Sequence, residues 1–469
     1  MYKKIFLFII SIVSVGFLWA QKKYNVVLIL SDDQRYNTIH ALGNNEIITP
    51  NLDKLVKTGT TFTRAFTMGA RQGALCMPSR VMLLTGRYEN HLEKDGAVIP
   101  AATPTFPEIL HSKGYTTSHT GKWHSDKASH NRSFSTGDNL FFGGMNFPDS
   151  GGQEKPQLLH YDSTGAYPYS AKWQGDHFST EYYADAAVNF INQQQNSDQP
   201  FICYVAFTSP HDPRTAPERF TKLYDANKLS LPASFMPQHP FDNGELVNRD
   251  ETLLPKPLTK ESIQKEVAAY YAMITEMDDN VGKIVKALEQ NKMLKNTLII
   301  FAGDNGLAVG NHGLLGKQSL YDHSIRVPLI VAGPGIPANK QTDALVYLSE
   351  IAPTVYDFTG YPQPSSVESK SLLPVIQKDS VIRNHIYFIF RNLQRAVRTA
   401  DNWKLILYNV KGKYTTQLFN LNTDPGELHD LSADKKYSSK LEELKKLLAE
   451  DMKAYDDDLD ITKDNWIKQ

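Results

Sequence analysis

The sequence predicts an α/β fold, in which a large, mostly parallel β-sheet is sandwiched by helices and followed by a smaller C-terminal α+β subdomain carrying an antiparallel sheet. Three observations predict it. Several short runs are apolar throughout, as in strands that are buried on both faces. Helical patterns lie between those runs, which indicates a parallel sheet covered on both sides. After about Gly360 the pattern changes to short strands separated by polar turns.

The apolar runs are the predicted strands of the large sheet. Each is nearly continuous in apolar residues instead of alternating with polar ones, so we expect parallel strands at 26–30, 201–207, 297–301 and 327–331. The periodicity between them predicts helices at 182–194 and 266–290. Cys203 lies within the second run, where packing is its expected role.

The C-terminal part has a different organisation. It predicts four short strands and then a charged amphipathic helix, at 386–390, 396–398, 404–408, 417–421 and 438–455. We therefore expect an N-terminal domain at 21–365 and a C-terminal subdomain at 366–469. Two segments, 126–180 and 229–257, have little periodicity and are expected to be surface insertions, which often form substrate-specific walls.

Charge and the first residues indicate compartment and exclude some partners. The chain has 50 basic and 51 acidic residues, which argues against nucleic acid or a membrane surface as a partner. Lys3 and Lys4 precede an apolar run at 5–18, and the small residue Ala20 follows it, a pattern typical of a signal peptide at 1–20. The run is short for a membrane span. We expect an exported protein, periplasmic or secreted, without a membrane anchor.

Polar side chains follow three of the predicted strands. Asp32 and Asp33 end the first run, His211 follows the second, and Asp304 and Asn305 follow the third. Because open α/β sheets bind ligands at the carboxyl ends of their strands, we expect these groups to lie together. Carboxylate and amide oxygens are the ligands that hard cations such as Ca²⁺ prefer, whereas Zn²⁺ favours His or Cys. The sequence therefore predicts a metal site at this edge.

The sequence around Cys76 is the most specific motif. It reads Cys76-Met77-Pro78-Ser79-Arg80, with Thr85-Gly86-Arg87 after an apolar run. This pattern resembles the signature of the type I, formylglycine-dependent sulfatases, and in particular exported bacterial polysaccharide sulfatases. The resemblance implies an alkaline-phosphatase-like fold. It also implies that a formylglycine-generating maturase oxidises Cys76 to formylglycine (3-oxoalanine), whose hydrated aldehyde is the nucleophile.

Further segments extend the resemblance, which runs from Asn25 to about Asp430. It implies that Ca²⁺ is bound by a set of five residues: Asp32, Asp33, Asp304, Asn305 and the modified Cys76. The segment Gly121-Lys122-Trp123-His124 matches a family motif, which assigns Lys122 to the sulfate oxygens and His124 to the base. Lys317, after Gly316, matches a second sulfate-binding lysine.

Two more residues, His211 and Arg80, complete the implied chemistry. His211 is expected to bind substrate and protonate the leaving oxygen, since a histidine pKa lies near neutrality. Arg80 is expected to orient the nucleophile and offset charge on the sulfuryl group. The sequence alone leaves open which of His124 and His211 is acid and which is base. His312 is a weaker candidate for substrate contact, and Arg326 is expected to be structural.

The function implied is hydrolysis of sulfate esters on a sulfated carbohydrate, such as the algal polysaccharides ulvan and carrageenan or their oligosaccharides. Four alternatives stay open at this point. The chain is also compatible with a glycosaminoglycan sulfatase, an aryl sulfatase, a metal-dependent phosphohydrolase or phosphonate hydrolase, and a non-catalytic protein that binds sulfated glycans. The intact set of Cys76, Arg80, Lys122, His124, His211 and Lys317 argues against the last of these.

Overall fold

A computed structural model describes residues 23–461, 463 and 466. The signal peptide predicted at 1–20 lies outside the described residues. Within them, no helix has both the length and the apolar character that crossing a membrane requires.

The large sheet has eight strands and is mostly parallel, which confirms the predicted fold class. Five consecutive strands of this sheet run parallel to one another. In spatial order they are Thr297–Gly303, Asn25–Ser31, Phe201–Ala206, Thr116–Lys122 and, at the edge, Thr136–Phe141. Three more extend the other edge, namely Leu329–Ala332, Gly59–Phe62 and Lys340–Thr342. The strand Asn25–Ser31 is buried along its whole length, as its continuous apolar pattern predicted.

One strand prediction is wrong in direction and extent. The run 327–331 was expected to be a parallel strand, but Leu329–Ala332 pairs antiparallel with Thr297–Gly303. Residues Arg326–Val327 instead form a separate short strand that pairs with Ala65–Phe66 in a three-stranded sheet. Pro328 lies between the two strands and cannot donate a ladder hydrogen bond, which accounts for the interruption. An apolar run identifies a buried strand without fixing its direction.

Helices cover both faces of the large sheet. The longest, Lys260–Gln290, packs against Ser179–Gln193, and together with Pro50–Thr58 they cover one face. The helices Cys76–Thr85, Phe106–Ser112 and Ile351–Thr359 contribute to the core on the other face. Thr259 caps the longest helix through a reciprocal hydrogen bond with Ser262. Shorter helices lie at Lys127–Ser133, Glu218–Thr221, Asp322–Ile325 and Leu373–Lys378.

The C-terminal part forms an antiparallel meander with a helix on it, as predicted. Its strands are His385–Phe390, Gln394–Thr399, Trp403–Val410 and Lys413–Asn420, and its helix is Ser438–Ala454. A fifth strand, Gly69–Ala70, comes from just before Cys76 and pairs parallel with His385–Phe390. The segment carrying the cysteine motif is thereby tied to the C-terminal sheet. The domain division at 365 stays a prediction.

The two expected insertions are packed. For 126–141 the prediction of an insertion is wrong, because this part contains the helix Lys127–Ser133 and an edge strand of the large sheet, Thr136–Phe141. The strand was missed because only its last residues are apolar. Further along the segment 126–180, Gln157–Leu158 pairs with Trp173–Gln174. The second segment, 229–257, contains a single 3₁₀ turn at Asp250–Thr252. Both segments lie beside the carboxyl edge of the sheet, where residues of each border the candidate active site.

Candidate active site

Cys76 lies at the start of a buried helix, Cys76–Thr85. The cysteine is 2% exposed, and Gly86 ends the helix in the left-handed conformation. The Ser79 hydroxyl donates to the carbonyl of Asp304 over 2.6 Å, which fixes the first turn against the end of a sheet strand. Both Cys76 and Cys203 are free thiols. The local fold therefore presents Cys76 to the carboxyl edge of the sheet.

Two groups from one neighbouring segment contact the thiol. The Nζ of Lys122 lies 3.4 Å from Cys76 Sγ, and the Nδ1 of His124 lies 3.3 Å from it. Lys122 ends the strand Thr116–Lys122, and His124 follows with a positive φ of 63°. Gly121 also has a positive φ, and a Cβ there would lie 2.0 Å from the carbonyl oxygen of Ala206. The glycine lets the chain turn its lysine toward the thiol.

An oxygen-rich cluster faces Cys76 from two further strand ends. The backbone N–H of Asp33 donates to Asp304 Oδ1 over 3.0 Å, and the amide of Asn305 donates to Asp33 Oδ1 over 2.6 Å. Ligand atoms of Asp32, Cys76 and Asp304 all lie within 4.8 Å of one another, as do those of Asp32, Asp33 and His211. The geometry brings the predicted metal ligands together.

Two oxygens of this cluster favour a cation. Asp32 Oδ1 and Asn305 Oδ1 are buried and have no hydrogen-bond partner among the described residues. A buried oxygen without a partner is costly, and a hard divalent cation would satisfy both at once. Asp32, Asp33, Asp304 and Asn305 therefore fit a site for an ion such as Ca²⁺.

Three cations surround the carboxylates. Lys122 Nζ lies 2.5 Å from Asp32 Oδ2, and Lys317 Nζ lies 2.7 Å from Asp33 Oδ1. The Arg80 guanidinium donates to Asp304 over 3.0 Å and to the carbonyl of Lys122 over 2.9 Å. All six side chains are nearly or fully buried. Three positive and three negative groups thus share one desolvated volume.

Burial and these ion pairs set the protonation states. Burial alone would raise the pKa of Asp32, but Lys122 and Arg80 outweigh it and hold that pKa well below its usual range. Burial, reinforced by the negative charge of Asp32, raises the pKa of Asp304 to about 6. Burial also raises the pKa of the Cys76 thiol and lowers that of His124 well below its usual value. An unmodified Cys76 is therefore a neutral thiol.

His211 approaches the cluster from the loop after the strand Phe201–Ala206. Its Nε2 lies 3.5 Å from Asp33 Oδ2, and its Nδ1 lies 2.8 Å from the carbonyl oxygen of Asp212. Because a carbonyl only accepts, Nδ1 carries a proton and Nε2 is the nitrogen that gains or loses one. Burial, then the charge of Lys317, lowers the pKa of His211 to about 4. Nε2 faces the cluster without a proton near neutral pH.

All ten predicted site residues lie in one connected network of contacts of 3.6 Å or less: Asp32, Asp33, Cys76, Arg80, Lys122, His124, His211, Asp304, Asn305 and Lys317. His312 lies apart from those contacts. Its ring stacks on Tyr321 at 3.9 Å, and its Nε2 meets the carbonyls of Gly426 and Glu427 at 3.1 Å. Arg326 donates to the Thr63 carbonyl, as befits a structural role.

The second insertion supplies residues that sequence reasoning missed. The buried carboxylate of Glu251 accepts the backbone N–H groups of Leu315 and Gly316 over 3.0 and 2.8 Å. Asp250 accepts from the Gln318 amide over 2.9 Å. These contacts hold the segment that carries Lys317 from both sides. The only sequence signal was a charged triplet, 249–251, inside an irregular segment.

The fold and the site together define a class of protein. The thiol of a helix-borne cysteine, an oxygen cluster suited to a divalent cation and a set of buried cations lie at the carboxyl edge of a parallel sheet. This is the equipment of a metal-assisted hydrolase of anionic esters.

The family follows from comparison with known proteins. The sequence profile of the Sulfatase family matches residues 24–361, so the chain belongs to the sulfatase family and is a sulfuric ester hydrolase. A second profile, described as N-sulphoglucosamine sulphohydrolase, C-terminal, matches residues 310–454. Both matches agree with the resemblance that the Cys76 motif predicted.

Individual relatives are similar over most of their length. Arylsulfatase K of Canis lupus familiaris is 29% identical, with 87% of this chain and 79% of that protein covered. The N-acetylglucosamine-6-O-sulfatase of Bacteroides thetaiotaomicron is 24% identical, with 93% and 87% covered. A solved structure of a protein in complex with its substrate D-glucosamine-2-N,6-O-disulfate has a TM-score of 0.76 at 22% identity, with 93% and 99% covered. That likeness shows the shared fold.

Proposed function

We propose that this sulfatase removes sulfate from a sulfated carbohydrate, using formylglycine formed from Cys76 and assisted by Ca²⁺. One observation carries the proposal: the Cys76 thiol lies 3.4 Å from Lys122 and 3.3 Å from His124, beside the oxygen cluster. A cation, an imidazole and a metal site around one helix-borne residue suit attack on a tetrahedral anionic ester. A formylglycine-generating maturase is the partner that this chemistry requires.

The nucleophile is the first element of the mechanism. Formylglycine at position 76 would supply a hydrated aldehyde, one hydroxyl of which attacks sulfur as the sugar oxygen leaves. Deprotonation of the second hydroxyl would then regenerate the aldehyde and expel sulfate, and rehydration would restore the diol. Lys122 is placed to bind a sulfuryl oxygen beside that residue, because its ammonium contacts both the position-76 side chain and Asp32. His124 Nδ1 is placed to hold or remove a proton at the same side chain. Its pKa, lowered by burial, keeps the imidazole neutral and able to accept.

The metal is the second element. Asp32, Asp33, Asp304 and Asn305 would hold Ca²⁺, whose chemistry is Lewis-acid stabilisation of charge on the ester oxygens. Arg80 holds Asp304 in place through its guanidinium. Lys317, paired with Asp33, supplies a second ammonium for the sulfate oxygens. Burial of these groups excludes water and strengthens each electrostatic contact.

The leaving group is the third element. The Asp212 carbonyl fixes the proton on His211 Nδ1, which leaves Nε2 to deliver a proton to the departing sugar oxygen. Nε2 must first gain that proton, and the bound anionic ester would favour its uptake by opposing the charge of Lys317. This division gives the acid role to His211 and the base role to His124.

The substrate class is the finer part of the proposal. We favour algal polysaccharides such as ulvan or carrageenan, or their oligosaccharides, because the predicted signal peptide and the aromatic-rich insertion suit an exported enzyme acting on a glycan. Glycosaminoglycans are the second candidate, favoured by the similarity to an N-acetylglucosamine-6-O-sulfatase. Assays on desalted sulfated oligosaccharides from both sources, with sulfate release as the readout, separate the two.

The nucleophile is tested with two cysteine variants expressed together with a maturase. Cys76→Ser should keep the fold and lose turnover of nitrophenyl sulfate, while the matched control Cys203→Ser, also at a buried cysteine, should keep activity. Intact mass should show thiol-to-aldehyde conversion in the wild type and in Cys203→Ser only. Full activity of Cys76→Ser would contradict the formylglycine mechanism. Turnover of matched phosphate or phosphonate esters above that of sulfates would favour the phosphohydrolase reading.

A further inference from the structure

A cavity in the first insertion takes no part in the chemistry described above. It has a volume of about 380 Å³, within the roughly 300–1,000 Å³ typical of small-molecule sites. Its walls come from the end of the strand Thr136–Phe141 and from the chain that follows. Two aromatic residues, Phe147 and Tyr169, and two lysines, Lys127 and Lys172, are among the residues that line it.

The chain that borders this cavity reaches His124 on one side and the segment after His211 on the other. A Cβ on Gly144 would lie 3.0 Å from His124 Nε2, so the chain that includes the cavity-lining Gly143 runs against that imidazole. The turn that begins at Phe147 is closed by its carbonyl, which accepts from Gly152 N–H over 3.0 Å. A Cβ on Gly152 would lie 3.7 Å from Pro213, two residues after His211. The cavity thus lies next to the chain that separates it from His124 and from the segment after His211.

Exposed aromatic rings are concentrated at this cavity. In the described part of the chain, three aromatic residues of the Phe, Tyr and Trp types are exposed: Phe147, Tyr169 and Tyr414. Two of the three, Phe147 at 56% and Tyr169 at 76% exposed, line this one cavity. An exposed apolar ring loses the benefit of burial, so a pair at one concave site indicates a ligand with an apolar face. A pyranose ring has such a face and carries hydroxyls at its edge.

The charge of the cavity wall indicates an anionic ligand. Lys172 Nζ lies 4.4 Å from the centre of the Tyr169 ring, and Lys127 Nζ donates to the carbonyl of Tyr167 over 2.8 Å. Within residues 23–461, neither ammonium lies within 4 Å of a carboxylate. The cavity is lined by no Asp or Glu. In a chain with almost no net charge, two lysines without carboxylate partners at one wall leave a local positive potential.

We propose that this cavity binds a neighbouring sugar unit of the substrate, one that carries its own sulfate or carboxylate, with Phe147 and Tyr169 stacking on the ring and Lys127 and Lys172 facing the charged group. The inference rests on the proposed function, since it assumes a carbohydrate substrate. It deepens that function: the enzyme recognises an oligosaccharide with at least two anionic units. Phe147, Tyr169 and Lys172 are specificity-determining residues rather than catalytic ones.

Calorimetric titration with two probes, a carrageenan tetrasaccharide and a heparin tetrasaccharide, tests the proposal directly. At least one probe should bind the wild type, and Tyr169→Ala should weaken that binding by about tenfold, the loss typical of an aromatic residue central to an interface. Lys172→Ala should reduce the salt dependence of binding, because one exposed charge contact is lost. Tyr414→Ala, the matched control at the third exposed aromatic, should bind as the wild type does.

Turnover separates this proposal from the proposed function. Nitrophenyl sulfate has no second sugar unit, so the proposal expects Tyr169→Ala to raise KM for the oligosaccharide and to leave KM for the aryl sulfate unchanged. Failure of the matured wild type to hydrolyse either substrate would contradict the proposed function alone. The cavity proposal is overturned if neither tetrasaccharide binds the wild type, or if Tyr169→Ala and Lys172→Ala bind both probes as tightly as Tyr414→Ala does.

Discussion

Replacing Glu251 by Gln perturbs a contact that no sequence motif marked. The Glu251 side chain is 4% exposed, and its carboxylate receives the backbone N–H groups of Leu315 and Gly316, each over 3.0 Å or less. Lys256 Nζ lies 3.2 Å from the same carboxylate. Gly316 is followed directly by Lys317, whose ammonium pairs with Asp33. Glu251 therefore fixes, through the main chain, the position of the Lys317 ammonium, which we propose to bind sulfate.

The size of the effect follows from these hydrogen bonds. Oε1 of Glu251 accepts from both N–H groups, whereas Oε2 accepts from Leu315 N–H and from Lys256 Nζ. A glutamine oxygen at the Oε1 position keeps both N–H groups, but its NH₂ group then faces Leu315 N–H and the Lys256 ammonium, so the charge-assisted hydrogen bond with Lys256 is lost. Such bonds contribute about 1.5–3 kcal/mol each. Because about 1.4 kcal/mol corresponds to a factor of ten in rate, we expect kcat/KM of Glu251→Gln to fall about tenfold to a hundredfold. Small shifts of positioning groups carry costs of this order.

The assay compares kcat and KM for nitrophenyl sulfate in matured wild type and Glu251→Gln, with intact mass to show equal conversion of Cys76. Glu368→Gln is the matched control, because Glu368 also accepts a backbone N–H, from Tyr88 over 2.8 Å, and pairs with Arg87 outside the site. The reasoning is refuted if Glu251→Gln stays within twofold of wild-type kcat/KM. It is also refuted if Glu368→Gln loses as much activity as Glu251→Gln.

Three further predictions concern the metal, the pH dependence of stability and the backbone. Chelation should lower the melting temperature and abolish turnover, and Ca²⁺ should restore both better than Zn²⁺, because the donors are oxygens. Burial raises the pKa of Glu276 from 4.5 to about 8, so its stabilising protonation is complete below pH 4.5 and lost as pH rises through about 8. Glu276→Gln should therefore melt near the wild-type temperature at pH 4.5 and above it at about pH 9; equal melting at both would contradict this. Gly121→Ala should cost more than about 3 kcal/mol in urea unfolding, whereas Gly114→Ala, with no atom within 4 Å of its Cβ, should cost far less.

The fold was predictable where burial left a plain pattern. The strand Asn25–Ser31 is apolar on both faces, so its sequence identified it, and its polar continuation at Asp32 and Asp33 identified the functional edge. The strand Thr116–Lys122 was missed because it is polar in sequence, although all but its first residue are buried. Some of its polar groups meet partners from other segments, such as His130 Nε2, which lies 3.0 Å from His119 Nδ1. Such pairing depends on tertiary contacts that no single-sequence pattern contains.

The central residues of the candidate site lie in short sequence motifs and could be predicted, whereas the residues that support them act through contacts distant in sequence and could not. Cys76, Lys122 and His124 lie in short segments that resemble motifs of the sulfatase family, and that resemblance assigned their roles. Glu251 acts through a carboxylate that meets main-chain groups more than sixty residues away in sequence. Any side chain that accepts both N–H groups from that position could support the Lys317 segment. The neighbours of Glu251 in the sequence therefore carry no motif that marks it.

Charge balance explains how this site recruits an anion although the chain has almost no net charge. Asp32, Asp33 and Asp304 face Arg80, Lys122 and Lys317, so the buried cluster is neutral when all six groups are ionised. A divalent cation bound to the oxygen ligands would give this buried cluster a net charge of plus two. The protein interior screens such a charge only weakly. The lysines are then free to share their ammonium groups with a sulfate ester, since the metal takes over part of the carboxylate charge. Anion binding and metal binding should consequently be coupled, so titration with inorganic sulfate should show weaker binding after chelation and recovery with Ca²⁺. Equal sulfate affinity with and without the metal would contradict this account.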